Sequence, residues 1–147
     1  MCKRERLVSE SAALAGFRAR CDTIEEAYEF FLAYASQGLP ADHAGDSSHQ
    51  VRDFLRRCDE ALNGVGNALT ECVNGLGLES AAAFHAFIRV IDRDARDAQA
   101  AVALVRALPS IGSQVVDNLN ASIHLRALLT DLFLIDEVLK NLRSPIE

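Results

Sequence analysis

The chain has 147 residues, of which half are hydrophobic and 24% are charged, and its formal net charge is −6 at pH 7. This length allows one domain with a substantial core, and no stretch reaches the ~18 apolar residues that a membrane-spanning helix needs. The negative charge and the absence of a basic face disfavour a nucleic-acid partner, and the interrupted apolar stretch near the N-terminus is untypical of a signal peptide. We therefore expect an acidic, soluble, cytoplasmic protein with neither a nucleic-acid nor a membrane partner.

The first predicted helix covers residues 5–36. Its apolar positions, spaced alternately three and four residues apart, keep one phase from Leu14 to Ala35. The segment DTIEE within this stretch is also a good helix start, because Thr23 is a favourable capping residue with a glutamate three residues later. Two interpretations stay open: one continuous helix, which the unbroken phase favours, or two shorter helices separated near Asp22.

The second predicted helix covers residues 48–75 and contains two glycines near its middle. Gly64 and Gly66 each cost about 1 kcal/mol relative to alanine in a helix interior. Close packing against another helix, a local bend, and room for a ligand are three explanations for this cost. Counting levels along two neighbouring helices puts the glycines beside Ala95 and Ala98, in a layer where we expect no polar side chains to converge. The apolar seam of this helix is Val51, Leu55, Cys58, Leu62, Val65, Leu69, Cys72 and Leu76.

The third predicted helix covers residues 80–107 and the fourth covers residues 112–143. We find no strand pattern and no internal repeat. Short connections between long helices are typical of antiparallel neighbours. The sequence therefore predicts an all-α protein, with residues 1–147 forming a single domain that is an antiparallel up-down-up-down four-helix bundle.

The fourth helix carries apolar residues on two nearly opposite sides, whereas a bundle helix normally buries one stripe. No further long helix is left to cover the second side, unless the N-terminal segment folds back as a separate piece. We therefore predict that this side is the contact of a homo-oligomer, with a two-fold dimer as the expected form. Ordinary burial in an irregular bundle is the alternative. The first series is the seam Leu125, Leu128, Leu132, Ile135, Leu139 and Leu142, and the predicted oligomer contact is Val116, Leu119, Ile123, Leu134 and Val138.

Three of the four cysteines occupy seam positions. Cys58 and Cys72 lie about 21 Å apart along one helix, whereas a disulfide needs Cα atoms within about 7 Å. The sequence contains no Cys-x-x-Cys pair and no tight Cys/His cluster, so the spacing of a structural zinc site is absent. We therefore expect Cys21, Cys58 and Cys72 to be buried, reduced thiols.

A polar row follows one flank of the fourth helix and consists of Asp117, Asn120, His124 and Asp131. Such a row is compatible with a metal or small-ligand site, or with His124 as a base that its neighbours orient. A row on a single helix has low specificity, however. The inward glutamates and Glu-x-x-His repeats of di-iron bundles are absent, as is a haem-attachment motif. We therefore expect no catalytic residue, no metal and no cofactor.

Two classes of function remain. The first is a non-enzymatic interaction or accessory protein that acts through its surface and its self-association, with the possibility of a protein partner. The alternative is a helical bundle that binds a small molecule or a metal, a class that includes enzymes. It would use the flank of Asp117, Asn120 and His124 or the layer that contains Gly64 and Ala95.

Overall fold

The structure is a computed structural model that describes residues 3–42, 45–78 and 81–143, with side chains from residue 12 to residue 142 within these ranges. The all-α class predicted from the sequence is confirmed, since these residues contain helices and no strand. Among them, no helix combines the length and the hydropathy that crossing a membrane requires. The six helices are α1 Lys3–Ser36, α2 Asp46–Leu62, α3 Val65–Gly75, α4 Ala82–Arg106, α5 Ser113–Ala121 and α6 His124–Arg143.

Helix α1 runs unbroken for 34 residues. The Thr23 hydroxyl lies inside this helix and donates a hydrogen bond to the carbonyl of Ala19 in the preceding turn, at 3.0 Å. Thr23 therefore does not cap a second helix, and the interpretation as one continuous helix holds. The helix turns one apolar stripe into the core, consisting of Leu14, Phe17, Ile24, Ala27, Phe31 and Tyr34.

The prediction of one helix over residues 48–75 is wrong, because the chain bends between α2 and α3. Asn63 has an extended backbone (φ −68°, ψ 116°) and Gly64 has a left-handed one (φ 81°, ψ 12°). Glycine adopts this left-handed conformation without the steric cost that a β-carbon introduces. Of the three explanations for the glycines, the local bend therefore applies to Gly64.

An arginine of α1 stabilises this bend. The guanidinium of Arg20 donates hydrogen bonds to the carbonyl oxygens of Ala61 and Asn63, at 3.3 and 2.6 Å. The last carbonyl groups of a helix receive no hydrogen bond from an N–H of the same helix, so they need donors from outside it. Arg20 therefore supplies donors at the place where α2 stops.

The prediction of one helix over residues 112–143 is also wrong, because α5 and α6 are separated by Ser122 and Ile123. Ile123 has a φ of 64°, which is unusual for a β-branched residue. Helix α5 packs mainly against α1, whereas α6 packs mainly against α4. The break therefore divides the second apolar series: Val116 and Leu119 lie on α5, whereas Leu134 and Val138 lie on α6 together with the leucine seam.

This break changes the set of residues that a partner can contact. Val116 and Leu119 are 0% and 5% exposed, because α5 turns them into the chain's own core. Ile123 and Leu134 are 51% and 55% exposed, and Val138 is partly buried. The predicted oligomer contact therefore needs a correction: Val116 and Leu119 are not available to a partner in this conformation, whereas the other three residues are.

A group of buried hydrogen bonds joins the end of α1 to the start of α5, and we call it the Ser113 lock. Ser113 is 3% exposed. Its hydroxyl donates to the Tyr34 carbonyl at 2.7 Å and accepts from the Leu39 N–H at 2.8 Å. The Ser113 N–H donates to the Leu39 carbonyl at 2.9 Å, and the Tyr34 hydroxyl donates to the carbonyl of Ile111. The lock thus satisfies the polar groups that this contact buries.

The lock requires glycine beside it. A β-carbon at Gly112 would lie 2.8 Å from the backbone nitrogen of Ala41 and 3.1 Å from the carbonyl oxygen of Leu39. Both of these atoms belong to the backbone, which cannot rotate away as the end of a side chain can. The segment after α1 therefore approaches the start of α5 more closely than any residue with a side chain at position 112 permits.

The cysteines lie as predicted, with one difference. Cys58 and Cys72 are buried in the core, whereas Cys21 is only partly buried, and all three are free thiols. Burial raises the pKa of the Cys21 and Cys58 thiols to about 12, and it also raises the pKa of Cys72. The reactive thiolate form is therefore scarce at neutral pH.

We expect Gly64→Ala to lower the free energy of unfolding by about 1–2 kcal/mol, because a β-carbon is unfavourable in the left-handed region. Gly16→Ala in α1 is the matched control, since open space surrounds Gly16 and its φ is not positive. This control should raise the free energy of unfolding by about 1 kcal/mol through helix propensity. Denaturant unfolding followed by circular dichroism measures both variants. If Gly64→Ala stabilises the protein as Gly16→Ala does, Gly64 does not have the left-handed conformation described above.

We expect the thiols of Cys21, Cys58 and Cys72 to react with an aromatic disulfide reagent on the order of 100-fold more slowly in the native than in the denatured protein, because burial disfavours the thiolate. A Cys2→Ser background removes the fourth thiol, which lies outside the described residues. Absorbance near pH 8 follows the reaction, and mass spectrometry assigns each site. Rapid native labelling of Cys58 would contradict its position in the core.

Candidate functional site

A cleft of about 770 Å³ lies between the α2–α3 bend and helix α4. Gly64, Gly66 and Ala95 all line it, so the structure brings together the layer that level counting predicted. Ala98 is buried in the core and is not part of the lining. The residues around the cleft are Leu62, Asn63, Gly64, Gly66, Asn67, Thr70, Ile88, Arg89, Asp92, Arg93, Ala95, Arg96 and Gln99.

Gly66 allows α3 and α4 to approach each other on one side of this cleft. A β-carbon at position 66 would lie 2.9 Å from Oδ1 and 3.1 Å from Cβ of Asp92. The Asp92 carboxylate in turn pairs with Arg96 (Nε–Oδ2 3.0 Å). This pair is largely exposed to solvent and contributes little to stability. Of the three explanations for the glycines, close packing therefore applies to Gly66.

The lining is more polar than the sequence predicted. Asn63 and Asn67 come from the bend, and Arg89, Arg93 and Arg96 come from the facing flank of α4. The expectation that nothing polar converges here assumed a continuous second helix. Because the chain bends at Gly64, the polar residues beside the two glycines reach the cleft. The alternation of asparagine and glycine in NGVGN, residues 63–67, was the signal in the sequence for this bend and its polar side chains.

Two of the arginines that line the cleft, Arg89 and Arg93, are available to a ligand. Within the part of the chain that the structure describes, Arg89 and Arg93 make neither an ion pair nor a hydrogen bond. No side chain caps the N-terminus of α3, which begins at Val65, between the lining residues Gly64 and Gly66. A helix N-terminus carries a partial positive charge, which the Asp92 carboxylate beside it partly offsets. The cleft is therefore suited to a small polar molecule with negative charge.

The structure does not bring the predicted polar row together. Asp117 and Asn120 lie on α5, whereas His124 and Asp131 lie on α6 beyond the break. Asp117 and His124 are exposed to solvent, and the Asn120 amide donates a hydrogen bond to the carbonyl of Phe31 at 3.1 Å. The described ranges contain no group of three His, Cys, Asp or Glu side chains that could hold a metal ion.

Asp131 instead meets Asp94 of α4, which the sequence analysis did not predict as a site residue. The Oδ2 atom of Asp131 is buried and has no hydrogen-bond donor. Burial raises the pKa of Asp131 most, and the hydrogen bond and the negative charge of the Asp94 carboxyl raise it further, to about 7. Periodicity on α6 alone offers no signal for this contact, because the partner comes from another helix.

Asp136, on the same helix, has the opposite surroundings. Arg18 of α1 and Lys140 of α6 pair with its carboxylate at 3.2 and 3.0 Å. Although burial raises the pKa of Asp136, the hydrogen bonds and charges of Lys140 and Arg18 lower it overall. Helix α6 therefore carries one carboxyl that favours the protonated form and one that favours the ionised form.

Comparison with known proteins gives no relative from which a function could be transferred. No protein-family model matches the chain, and no curated protein and no solved structure matches it either.

Proposed function

We propose that this protein is a non-enzymatic interaction protein that acts through an apolar surface on α4 and α6 and through self-association, with a two-fold dimer as its form. The observation that carries the proposal is the exposure of large apolar side chains on these helices. Val90 of α4 is 40% exposed and Leu134 of α6 is 55% exposed. Single exposed apolar residues are common, whereas a contiguous group of them is typical of an interaction site.

The order of the contacts supports an up-down-up-down bundle with four arms, which are α1, α2–α3, α4 and α5–α6. Going along α1, Arg20 meets the end of α2, whereas Phe30 stacks on Phe54 nearer its start, with ring centroids 4.2 Å apart. Arg18 meets Asp136 of α6, whereas the later Tyr34 meets the start of α5. Both pairs of arms therefore run in opposite directions.

The second and third arms show the same order, since Asp59 of α2 pairs with Arg106 at 2.6 Å, whereas Gly66 of α3 meets Asp92. Arms that alternate in this way make α4 and α6 antiparallel as well.

The free thiols of the core fit a reducing compartment, which favours the cytoplasm as the location.

The position of Asp94 beside Asp131 aligns α4 with α6 and so defines the surface. Val90 lies one turn before Asp94, and Leu134 lies one turn after Asp131. On antiparallel helices these two side chains occupy the same level, on either side of the groove. Val138, one turn beyond Leu134, extends the group. We call Val90, Leu134 and Val138 the α4–α6 face, and it retains two of the residues that the sequence predicted for the contact.

We expect Leu134→Glu to convert the dimer into a folded monomer, because it places a charge on the α4–α6 face without touching the core. Burying a leucine contributes about 1.5–3 kcal/mol, and a two-fold contact contains it twice. The dissociation constant should therefore rise about 100-fold or more. Size-exclusion chromatography with light scattering measures the mass, and circular dichroism checks that the variant is folded.

Leu32→Glu is the matched control. Leu32 is a similarly exposed leucine, at 47%, but it lies on α1. This variant should keep the mass of the wild type. A wild-type protein that is monomeric at tens of micromolar, or equal effects of the two substitutions, would refute the proposed contact.

A second candidate function is the binding of a small anion, and the cleft beside Gly64 favours it. Arg89 and Arg93 line the cleft without ionic partners, and the uncapped start of α3 adds a partial positive charge. Guanidinium groups bind phosphate and carboxylate oxygens through paired hydrogen bonds. The cleft also borders Gly64, so this candidate keeps the ligand interpretation of the Gly64 and Ala95 layer.

Inorganic phosphate is the probe for this second function. At constant ionic strength, phosphate should raise the melting temperature relative to chloride, because a ligand that binds only the folded state stabilises it. The double variant Arg89→Gln, Arg93→Gln should lose this increase. Arg126→Gln, which removes an exposed arginine of α6 remote from the cleft, should retain it. An equal increase in all three proteins would show that phosphate acts without the cleft.

A further inference from the structure

Two carboxyl groups meet where α4 packs against α6. Asp94 and Asp131 lie within hydrogen-bonding reach of each other. The Oδ2 atom of Asp131 is closed off from solvent and has no donor from the protein. When both groups are ionised, they are acceptors only, so the contact then contains two like charges and no hydrogen bond. A proton held between them supplies the missing donor and removes one of the charges.

Among the residues that the structure describes, no basic side chain forms an ion pair with Asp94 or Asp131. The charged residues of α1 at this end of α6 are Arg18, Asp22 and Glu25, and Arg18 pairs with Asp136 on the other flank. Helix α5 carries Asp117, and α4 carries Arg93 directly before Asp94 and Asp97 one turn after it. On α6 itself, Arg126 and Asp136 lie five residues to either side of Asp131, and His124 lies seven residues before it. Of the charged groups around it, only Asp94 shifts the pKa of Asp131.

We propose that Asp94 and Asp131 share one proton at and below neutral pH, and that losing this proton loosens the contact between α4 and α6. The pair thus makes this contact, and the α4–α6 face beside it, sensitive to pH. The part of the proposal that concerns the face rests on the proposed function, whereas the part that concerns the shared proton does not.

The direction of the effect follows from the two protonation equilibria. In the unfolded chain Asp131 loses its proton near its ordinary pKa of 3.8, whereas in the folded protein its pKa is raised to about 7. Between these pH values the folded state binds more protons than the unfolded state. The stabilisation from the pair is therefore complete below the lower value, decreases as the pH rises, and is absent above about 7.

The consequence for the surface follows from its position. Val90 and Leu134 each lie one turn from the carboxyl pair, on opposite sides of the groove. A loosened contact moves these two side chains relative to each other, so a partner that fits one arrangement fits the other less well. Self-association should therefore be stronger near pH 6 than near pH 8.

Carbon-detected NMR titration of the aspartate carboxyls tests the shared proton directly. Asp131 should titrate near neutral pH in the wild type, and Asp94→Asn should bring its midpoint down by about one pH unit or more. A wild-type Asp131 that titrates near the ordinary value, or a midpoint that Asp94→Asn leaves unchanged, would overturn the proposal.

Thermal unfolding at two pH values provides the second test. Asp131→Asn should raise the melting temperature near pH 8, because the uncharged amide can donate to Asp94, and it should have a smaller effect near pH 5. The control Asp136→Asn removes an ionised carboxylate that Arg18 and Lys140 hold. It should therefore lower the melting temperature near pH 8. If Asp131→Asn lowers it there as well, the pair is not a proton-sharing contact.

Light scattering near pH 6 and pH 8 tests the link to the surface. The wild type should lose dimer at the higher pH, and Asp131→Asn should keep the dimer at both. A wild type that is dimeric to the same extent at both pH values overturns the link, although the proposed function stands. A monomer at both values overturns the link and the proposed function together, and the carboxyl titration then decides the shared proton independently.

Discussion

The Ser113 lock determines which neighbour each half of the last arm packs against. Its hydrogen bonds hold the start of α5 against the end of α1, inside the protein where water cannot replace them. Helix α5 must therefore direct Val116 and Leu119 towards α1. The following helix, α6, packs mainly on α4 instead, so the chain changes direction between the two helices. The left-handed residue Ile123 provides the change in direction.

The sequence predicted the helical class and most of the buried seams correctly, although the seam residue Leu142 is 51% exposed. It missed the breaks inside two predicted helices, for different physical reasons. Gly64 has a low helix propensity, which drew attention to the bend although the apolar phase continues through it. Ile123 carries no comparable signal, because isoleucine is an ordinary helix residue. The change of phase between α5 and α6 was present in the pattern. Periodicity alone does not separate two faces of one helix from one face on each of two helices.

The candidate sites show the same limit. Level counting brought Gly64 next to Ala95, because it needs only helix geometry and a short connection. It did not predict the polar wall of the cleft, which depends on the bend. Asp131 was part of a predicted polar row, yet its actual neighbour is Asp94, a residue of another helix. A contact between helices depends on their rotation and register, which one chain's pattern of apolar residues defines only to within about a turn.

Gly112 also has a consequence for tracing the ancestry of this fold. Because backbone atoms of Ala41 and Leu39 occupy the space of a side chain, a chain that retains the Ser113 lock has to retain glycine before the serine. Tyr34 is constrained in the same way, since its side-chain hydroxyl donates to the carbonyl of Ile111. A search profile that weights Tyr34, Gly112 and Ser113, and lets the exposed positions diverge, would therefore recognise distant descendants better than overall identity does.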